Sequence, residues 1–350
     1  MAINDLFWRF RVRVLFAAAL LSYVLPLCAE PDPTLAGTEN QPVFGLSAKK
    51  GWSGSVGIAM AGVSGEGLID AYGGKRRIES LDEKSSRYDY GFLFPLSKTA
   101  YTFQNNITIH AGGGLLDGGG IGISYLRADE TRLAVVFPLF LGTDGKVWQD
   151  PYLTGKDRKK TYAKLESAIG FSARNILGSF ASIGYDYQDL SVKNDRAGES
   201  FNNRLSSNEI KQLRRNSKSH KITVSLPPLT LGGGFYLIGG VSHTRTNAEG
   251  NANSFTSHSV DLTLAYKKRR VELFGQISGG VAEYRAVNPV FSTQRKDNSR
   301  AITAGITYWR PFNWKHSSLE LVFVGERNSS NINFYDANTD LITTGFNYYF

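Results

Sequence analysis

The chain has 350 residues, a formal net charge of +9 and a single cysteine, Cys28. One thiol at the edge of an N-terminal leader excludes a disulfide framework, zinc-thiolate chemistry and a cysteine nucleophile in the mature protein. A mean hydropathy of −0.24, with no long apolar run beyond the leader, excludes a bundle of transmembrane helices. It leaves open a transmembrane β-barrel, in which only alternate residues meet lipid. The 37 glycines and 38 tyrosines plus phenylalanines favour strands and turns.

Met1 to Ala29 reads as a secretory signal peptide: Arg9, Arg11 and Arg13 precede the apolar run Val14–Leu27, and Ala29 offers a cleavage point. Its removal takes away Asp5 and the three arginines and lowers the net charge from +9 to +7. Residues 30–50 form an extended, loosely held lead-in. From Gly51 to Phe350 the sequence predicts one all-β domain, a single antiparallel transmembrane β-barrel of about 14 strands, with 12 or 16 as alternatives.

The predicted strands are Trp52–Val63, Tyr88–Phe103, Ile107–Gly114, Gly119–Arg127, Thr131–Leu141, Tyr162–Ala173, Ser179–Val192, His220–Pro227, Phe235–Thr246, Phe255–Lys267, Val271–Tyr284, Ala301–Arg310, Ser318–Asn328 and Leu341–Phe350. Several alternate cleanly; Ile222, Val224 and Leu226, for example, oppose Lys221, Thr223 and Ser225. Connections alternate in length. Short turns such as Asn105-Asn106 and Lys268–Arg270 fall on one side. Long polar loops fall on the other: Ser64–Arg87, Gly142–Lys160, Lys193–Ser219, Asn247–Ser254, Arg285–Arg300 and Ser329–Asp340. Short periplasmic turns and longer extracellular loops are the habit of outer-membrane barrels. A short helix is expected over Asn208–Arg215, capped by Ser207. Aromatics at strand ends, including Trp52, Tyr88, Tyr101, Trp309, Trp314 and Phe350, suit interfacial girdles.

The last strand puts Ile342, Thr344, Phe346, Tyr348 and Phe350 on one face and small or polar residues on the other. It resembles the closing strand of bacterial outer-membrane barrels, whose terminal aromatic is read by the assembly machinery, so Phe350 is the expected assembly signal. A wider resemblance follows from Trp148 with Asp150-Pro151-Tyr152-Leu153-Thr154-Gly155, Ala286-Val287-Asn288-Pro289-Val290-Phe291, Ile332-Asn333-Phe334-Tyr335-Asp336, and Tyr101-Thr102-Phe103 before Asn105-Asn106. These segments resemble the family grouped as domain of unknown function 2860, predicted outer-membrane proteins of Gram-negative bacteria, some of them described as porin-like. The resemblance spans Gly51 to Phe350 and implies fold and location, with no catalytic residues to carry over.

Candidate chemistry is sparse. His110, His220, His243, His258 and His316 show no metal-ligand spacing, and no cofactor is implied. A base such as His243 or His258 beside a serine would make a lipid-modifying enzyme, the third reading. The glycine runs lack the lysine and helix of a phosphate loop. Charge says more. Arg132, Lys164, Glu166, Lys221, Asp261, Glu272 and Glu320 are predicted to line the lumen. Lys75, Arg76 and Arg77, and Lys156, Arg158, Lys159 and Lys160, make basic outer loops suited to lipopolysaccharide phosphates. Further basic residues, Lys211, Arg214, Arg215, Arg295 and Lys296, also fall in predicted loops.

The loop around Trp148, Asp150, Pro151 and Tyr152 is too apolar to wave in water and is expected to fold inward as a constriction. The leading reading is a porin-like channel for passive diffusion of small hydrophilic solutes. The alternative is a closed barrel whose loops bind lipopolysaccharide, a partner protein or a host surface. Expected partners are outer-membrane lipids, the barrel-assembly machinery, periplasmic chaperones and small solutes, with no nucleic acid.

Overall fold

Alternation of apolar and small or polar residues becomes two faces of one closed wall. The structure, a computed structural model, describes residues 50–71, 74–114, 118–138 and 145–350. The expected leader, and the lead-in except for residue 50, lie outside the described residues. The strands are β1 (Gly51–Gly67), β2 (Arg87–Thr102), β3 (Ile107–Gly114), β4 (Gly118–Leu126), β5 (Arg132–Pro138), β6 (Gly145–Trp148), β7 (Lys160–Arg174), β8 (Ser182–Val192), β9 (Ser217–Ser225), β10 (Leu229–Gly232), β11 (Phe235–Ala248), β12 (Phe255–Lys268), β13 (Val271–Asn288), β14 (Thr293–Trp309), β15 (Ser317–Ser330) and β16 (Ala337–Tyr349).

Fourteen of these form a closed antiparallel barrel. Each pairs with its neighbours in the chain, and β1 pairs with β16 to close the ring. The other two continue a neighbour's place in the wall. β6 pairs with the upper part of β7, whose lower part pairs with β5. β10 pairs with the start of β11 below β9, after a break at Pro227-Pro228, where two residues without an N–H cannot continue a ladder.

The outer face is apolar. On β1 it carries Val56, Ile58 and Met60, on β12 Val260, Leu262 and Leu264, and on β16 Ile342 and Tyr348, all exposed. Their inward neighbours are buried, among them Ala59 and Ala61 on β1, Thr263 and Ala265 on β12, and Leu341 and Thr343 on β16. An apolar belt around a closed sheet is the surface that a bilayer requires, since closure leaves no unpaired edge. At the end that holds both barrel termini, Trp52, Phe103, Phe312, Trp314, Tyr348 and Phe350 are exposed and form an aromatic girdle. Tyr88 and Trp309 instead share the inward parity of their strands, on the faces of Phe92 and of Thr303.

Phe350 closes the seam: its N–H and carbonyl each bond to Gly54 at 3.0 Å, and its ring lies where a side chain on Gly54 would stand.

The polar ends of several strands are longer than expected. β13 reaches Asn288 and β14 begins at Thr293, so the predicted loop Arg285–Arg300 is a four-residue turn between strands. The loops 247–254 and 329–340 shrink in the same way, to 249–254 and 331–336. Above the apolar belt both faces of a strand are polar, so the alternation fades while the ladder continues. The helix α1 spans Ser207–Lys211 and is capped by Ser206, one residue earlier than expected, in a capping box with Glu209.

Candidate functional site

The long loops do not stand apart. Leu68 and Ile78 from the β1–β2 loop, Tyr152 from the β6–β7 loop, Ala197 and Leu213 from the β8–β9 loop, Ala252 from the β11–β12 loop, and Ile332, Phe334 and Tyr335 from the β15–β16 loop share one buried apolar cluster. Phe291 of the β13–β14 turn packs on it. Loops rooted all around the ring can share a core only by meeting over the mouth, so they form a cap on the barrel.

Three arginines stitch this cap. Arg158 is 1% exposed; its Nη1 donates to the carbonyls of Leu68 at 2.8 Å and Pro151 at 3.2 Å, and its plane lies 4.3 Å from the Trp148 ring centre. Burial pushes its pKa down to about 10, so it stays charged at neutral pH. Arg215 pairs with Asp195 at 2.6 Å and donates to the carbonyls of Trp148 at 2.8 Å and Gln149 at 3.0 Å. Arg295 pairs with Asp297 at 2.5 Å and sits 3.6 Å from the Tyr335 ring centre and 4.4 Å from that of Tyr284. Planar guanidinium groups bridge carbonyls and rings in this way because their five donors lie in one plane.

The predicted inward loop lies within the cap. Trp148 and Tyr152 are 0% and 2% exposed. The Trp148 indole N–H donates to the Asp70 carbonyl at 3.2 Å. Asp150 accepts from the backbone N–H groups of Tyr152 at 3.1 Å, Gly198 at 3.1 Å and Ser200 at 2.8 Å, tying this loop to the β8–β9 loop. Gly198 has φ +83°, a left-handed backbone that strains any side chain, and a Cβ there would meet the Leu213 side chain, which favours glycine. Pro151 is buried and Gly155, at φ +69°, returns the chain to donate to Ile78.

The basic loop residues divide. Lys156, Lys159 and Lys160 are exposed. Lys75 pairs with Glu83, Arg76 with Asp157 at 3.1 Å and Arg77 with Glu79 at 2.7 Å. Arg158 is a correction: it is buried in the cap and not available to phosphates, because its guanidinium finds carbonyls that the loop backbone would otherwise leave unpaired.

Five of the predicted lumen residues face inward. Arg132 donates to Ser124 at 3.3 Å. Lys221 stands opposite Asp186 in register, with Asp261 supplying further negative charge. Glu272 pairs with Lys267 at 2.8 Å. Glu320 accepts from Asn347 at 2.9 Å. Lys164 and Glu166 are corrections. They pair with each other at 2.7 Å on the outer face, where Glu166 also accepts from Ser191. A bulge between Leu165 and Ser167 shifts the register, so even-numbered residues point out above it and odd-numbered ones below. Simple alternation cannot foresee that inserted residue.

His243 and His258 face each other in register on the outer wall, their Nδ1 atoms 3.3 Å apart. The bonding partner of His243 is thus a histidine rather than a serine hydroxyl. No cluster of three or more metal-ligating side chains occurs among the described residues. Sequence reasoning did not single out Asp195, took Asn288 and Tyr335 only as parts of the segments that carry the family resemblance, and read Arg215 and Arg295 only as loop charge. Their signal, if any, was an arginine or asparagine embedded between loop aromatics.

Solved structures similar to this chain are outer-membrane proteins. OmpT of Vibrio cholerae matches at 9% identity and TM-score 0.40, covering 87% of this chain and 99% of that one. The anion-selective porin from Comamonas acidovorans matches at 11% identity and TM-score 0.36, covering 85% and 98%. The CymD monoaromatic hydrocarbon channel matches at 9% identity and TM-score 0.43, covering 86% and 89%. No curated protein matches the sequence. A family model does match, over residues 51–349, and the chain belongs to that family, the proteins of unknown function designated DUF2860.

Proposed function

We propose that the protein is an outer-membrane channel for passive diffusion of small water-soluble solutes, with the loop cap setting how much passes. The observation that supports this reading is the inward row of ionisable groups: Arg132, Asp186, Lys221, Asp261, Glu272 and Glu320 all project into the barrel. Such groups are costly in a dry interior and are stabilised by water in a wet one. The cap then acts as the constriction, with Trp148 and Tyr152 at its centre. The exposed Lys156, Lys159 and Lys160 beside it bias entry toward anions. Export, and release of the leader near Ala29, precede assembly by the barrel machinery in this reading.

Planar-bilayer recording tests it. The native chain should show small conductance steps with anion preference. Deleting Val147–Leu153 should enlarge the steps, and replacing Lys159 and Lys160 by Gln should weaken the preference. Folded protein that never conducts, with or without the deletion, would overturn the channel reading.

One observation favours the closed-barrel alternative: the cap carries its own apolar core and buried ion pairs, and so presents a firm outer surface. Loops of that kind suit recognition of lipopolysaccharide or another macromolecule, and the same recordings separate the two readings.

A further inference from the structure

At the cap end of the apolar belt, the outer wall of β9, β11 and β12 carries three imidazoles around one arginine. In register, His243 stands between Ile222 on β9 and His258 on β12. Arg245 stands between His220 on β9 and Thr256 on β12. All share the outward parity of Ile222, Val241 and Val260, which are exposed on the lipid-facing wall one step below. His243 lies eight residues up β11 from Phe235, a height of about 20 Å at a strand tilt of about 40°. A transmembrane barrel carries an apolar band about 25 Å tall, so the cluster sits where acyl chains give way to headgroups.

Its charge is unbalanced. Elsewhere on this rim outward cations have acids beside them: Lys218 has Asp189 at 3.8 Å, Lys296 has Glu283 at 3.1 Å and Arg327 has Asp340 at 2.8 Å. Arg245 is exposed and forms no ion pair among the described residues. Asp189 and Glu283 are the outward acids of the strands from β8 to β13, and both are engaged by those lysines. Arg300 on β14 is also exposed without an ion pair, but its neighbours in register are Gly279 and Arg327, not histidines.

Hydrogen bonds decide which ring nitrogens remain available. The Tyr185 hydroxyl meets His220 Nδ1 at 2.8 Å, which leaves Nε2 as the free nitrogen of that ring. His243 and His258 meet through their Nδ1 atoms at 3.3 Å, with ring centres 4.7 Å apart. In a pair of neutral rings one Nδ1 donates and the other accepts, so the accepting ring carries its proton on Nε2 and donates there. The Arg245 guanidinium adds five donors and the Thr256 hydroxyl one more. The patch is rich in donors and has no carboxylate to satisfy them.

Such a patch suits an anion with several oxygens. Phosphate fits it, because a guanidinium pairs with phosphate through two parallel bonds. The residues below indicate where the phosphate comes from. A free ion gains nothing from Ile222, Val241 and Val260, whereas a phosphorylated lipid lays its acyl chains on them while its headgroup meets the arginine.

We infer that His220, His243, Arg245 and His258 form a binding site on the outer wall for the phosphate group of an acylated lipid in the outer leaflet. The site belongs to the strands and not to the cap loops, and it does not rest on the channel reading. Native mass spectrometry of the folded full-length chain in detergent, titrated with diphosphorylated lipid A in EDTA, counts the lipids held per barrel. One saturable, tightly held lipid is expected. Arg245→Gln should weaken it about tenfold, the loss expected when a bond to a charged group is removed. The double change His243→Gln and His258→Gln should weaken it severalfold, and Arg300→Gln should leave it unchanged.

Lipid A stripped of both phosphates should not compete, and inorganic phosphate should compete only at far higher concentration. Heat-modifiable migration on a gel checks that each variant is folded. Equal weakening by Arg245→Gln and Arg300→Gln would overturn the site in favour of diffuse rim charge. Undiminished binding of the dephosphorylated lipid would overturn the phosphate, and inorganic phosphate that competes as well as lipid A would overturn the lipid. Binding that appears only when Zn2+ replaces EDTA would overturn direct recognition, leaving a metal held between the two histidines. A folded barrel that holds no saturable lipid A sinks this inference, whatever the bilayer recordings show.

Discussion

The hydroxyls of Tyr152 and Tyr335 lie 2.7 Å apart and join loops from nearly opposite sides of the barrel. Between their roots lie β16, β1, β2, β3, β4 and β5 one way round, and β7 to β9 with β11 to β15 the other. The Asn288 amide donates to Tyr335 at 2.7 Å, so the end of β13 joins the same contact. A single hydrogen-bonded knot therefore spans the mouth, inside the apolar cluster that the loops share.

Replacing either phenol by phenylalanine should loosen this knot without emptying the cluster. A double-mutant cycle over Tyr152→Phe and Tyr335→Phe is expected to give a coupling of about 0.5–1.5 kcal/mol, the range of a buried neutral hydrogen bond. Hydrogen exchange of loop amides reads the cap directly, and protection should fall in the loops while strand amides keep theirs. Equal loss of protection in the strands would mean that the cap and the wall unfold as one unit.

Alkaline solution should open the cap. Burial raises the pKa of Tyr152 above its ordinary value of 10.0, and burial raises that of Tyr335 further. Both phenols stay protonated in the folded cap at a pH where they ionise in an unfolded one. Their contribution is thus complete below about pH 10 and is lost as pH rises above it. Acrylamide quenching of Trp148, in a chain with Trp52, Trp309 and Trp314 replaced by Phe, should stay low to pH 10 and then climb. A variant carrying both Tyr→Phe changes should show a weaker climb. Quenching that is high already at pH 8 would contradict the 0% exposure of Trp148.

Topology is open to single-cysteine labelling in a chain with Cys28 replaced by Ser, since Cys28 is the one cysteine of the sequence. Lys159→Cys and Lys75→Cys should react with an impermeant reagent on intact cells, whereas Asn105→Cys and Arg269→Cys should not. Arg158→Cys should react poorly beside a reactive Lys159→Cys, since Arg158 is buried and Lys159 exposed. Labelling at Arg269 but not at Lys159 would invert the barrel.

Deleting Phe350, or changing it to Asp, should lower the yield of folded barrel in the outer membrane. The residue makes two backbone bonds to Gly54 at 3.0 Å and lays its ring over that glycine, so the last pairing of the seam depends on it. Loss of one such pair of bonds costs only about 1–3 kcal/mol, which a barrel that has already closed should survive. A yield that falls many-fold while the purified barrel keeps its melting temperature would point to recognition during assembly. Unchanged yield would remove Phe350 from any such role.

The barrel itself was written in local pattern. Alternation such as Ile222, Val224 against Lys221, Thr223 assigns a face to each residue, because the strand period is two and lipid accepts only one kind of side chain. Short and long connections gave the strand number and its parity for the same reason: antiparallel neighbours leave only two ends at which a chain can turn. The burial of Trp148 and Tyr152 was legible, since large apolar side chains in a loop must be covered by something.

What covers them was decided only in three dimensions. Tyr335 and Asn288 lie 183 and 136 residues from Tyr152, and nothing local ties them together. Arg158, Arg215 and Arg295 looked like solvated loop charge and became the stitching of the cap, because burial and partners are properties of the closed ring. Lys164 and Glu166 left the lumen through one inserted residue in β7, whose effect depends on the register with β8. The outward patch of His220, His243, Arg245 and His258 was assembled in the same way, since only the register of β9, β11 and β12 sets these residues side by side. Sequence determines which face a residue takes; only the pairing of distant strands determines what that face meets.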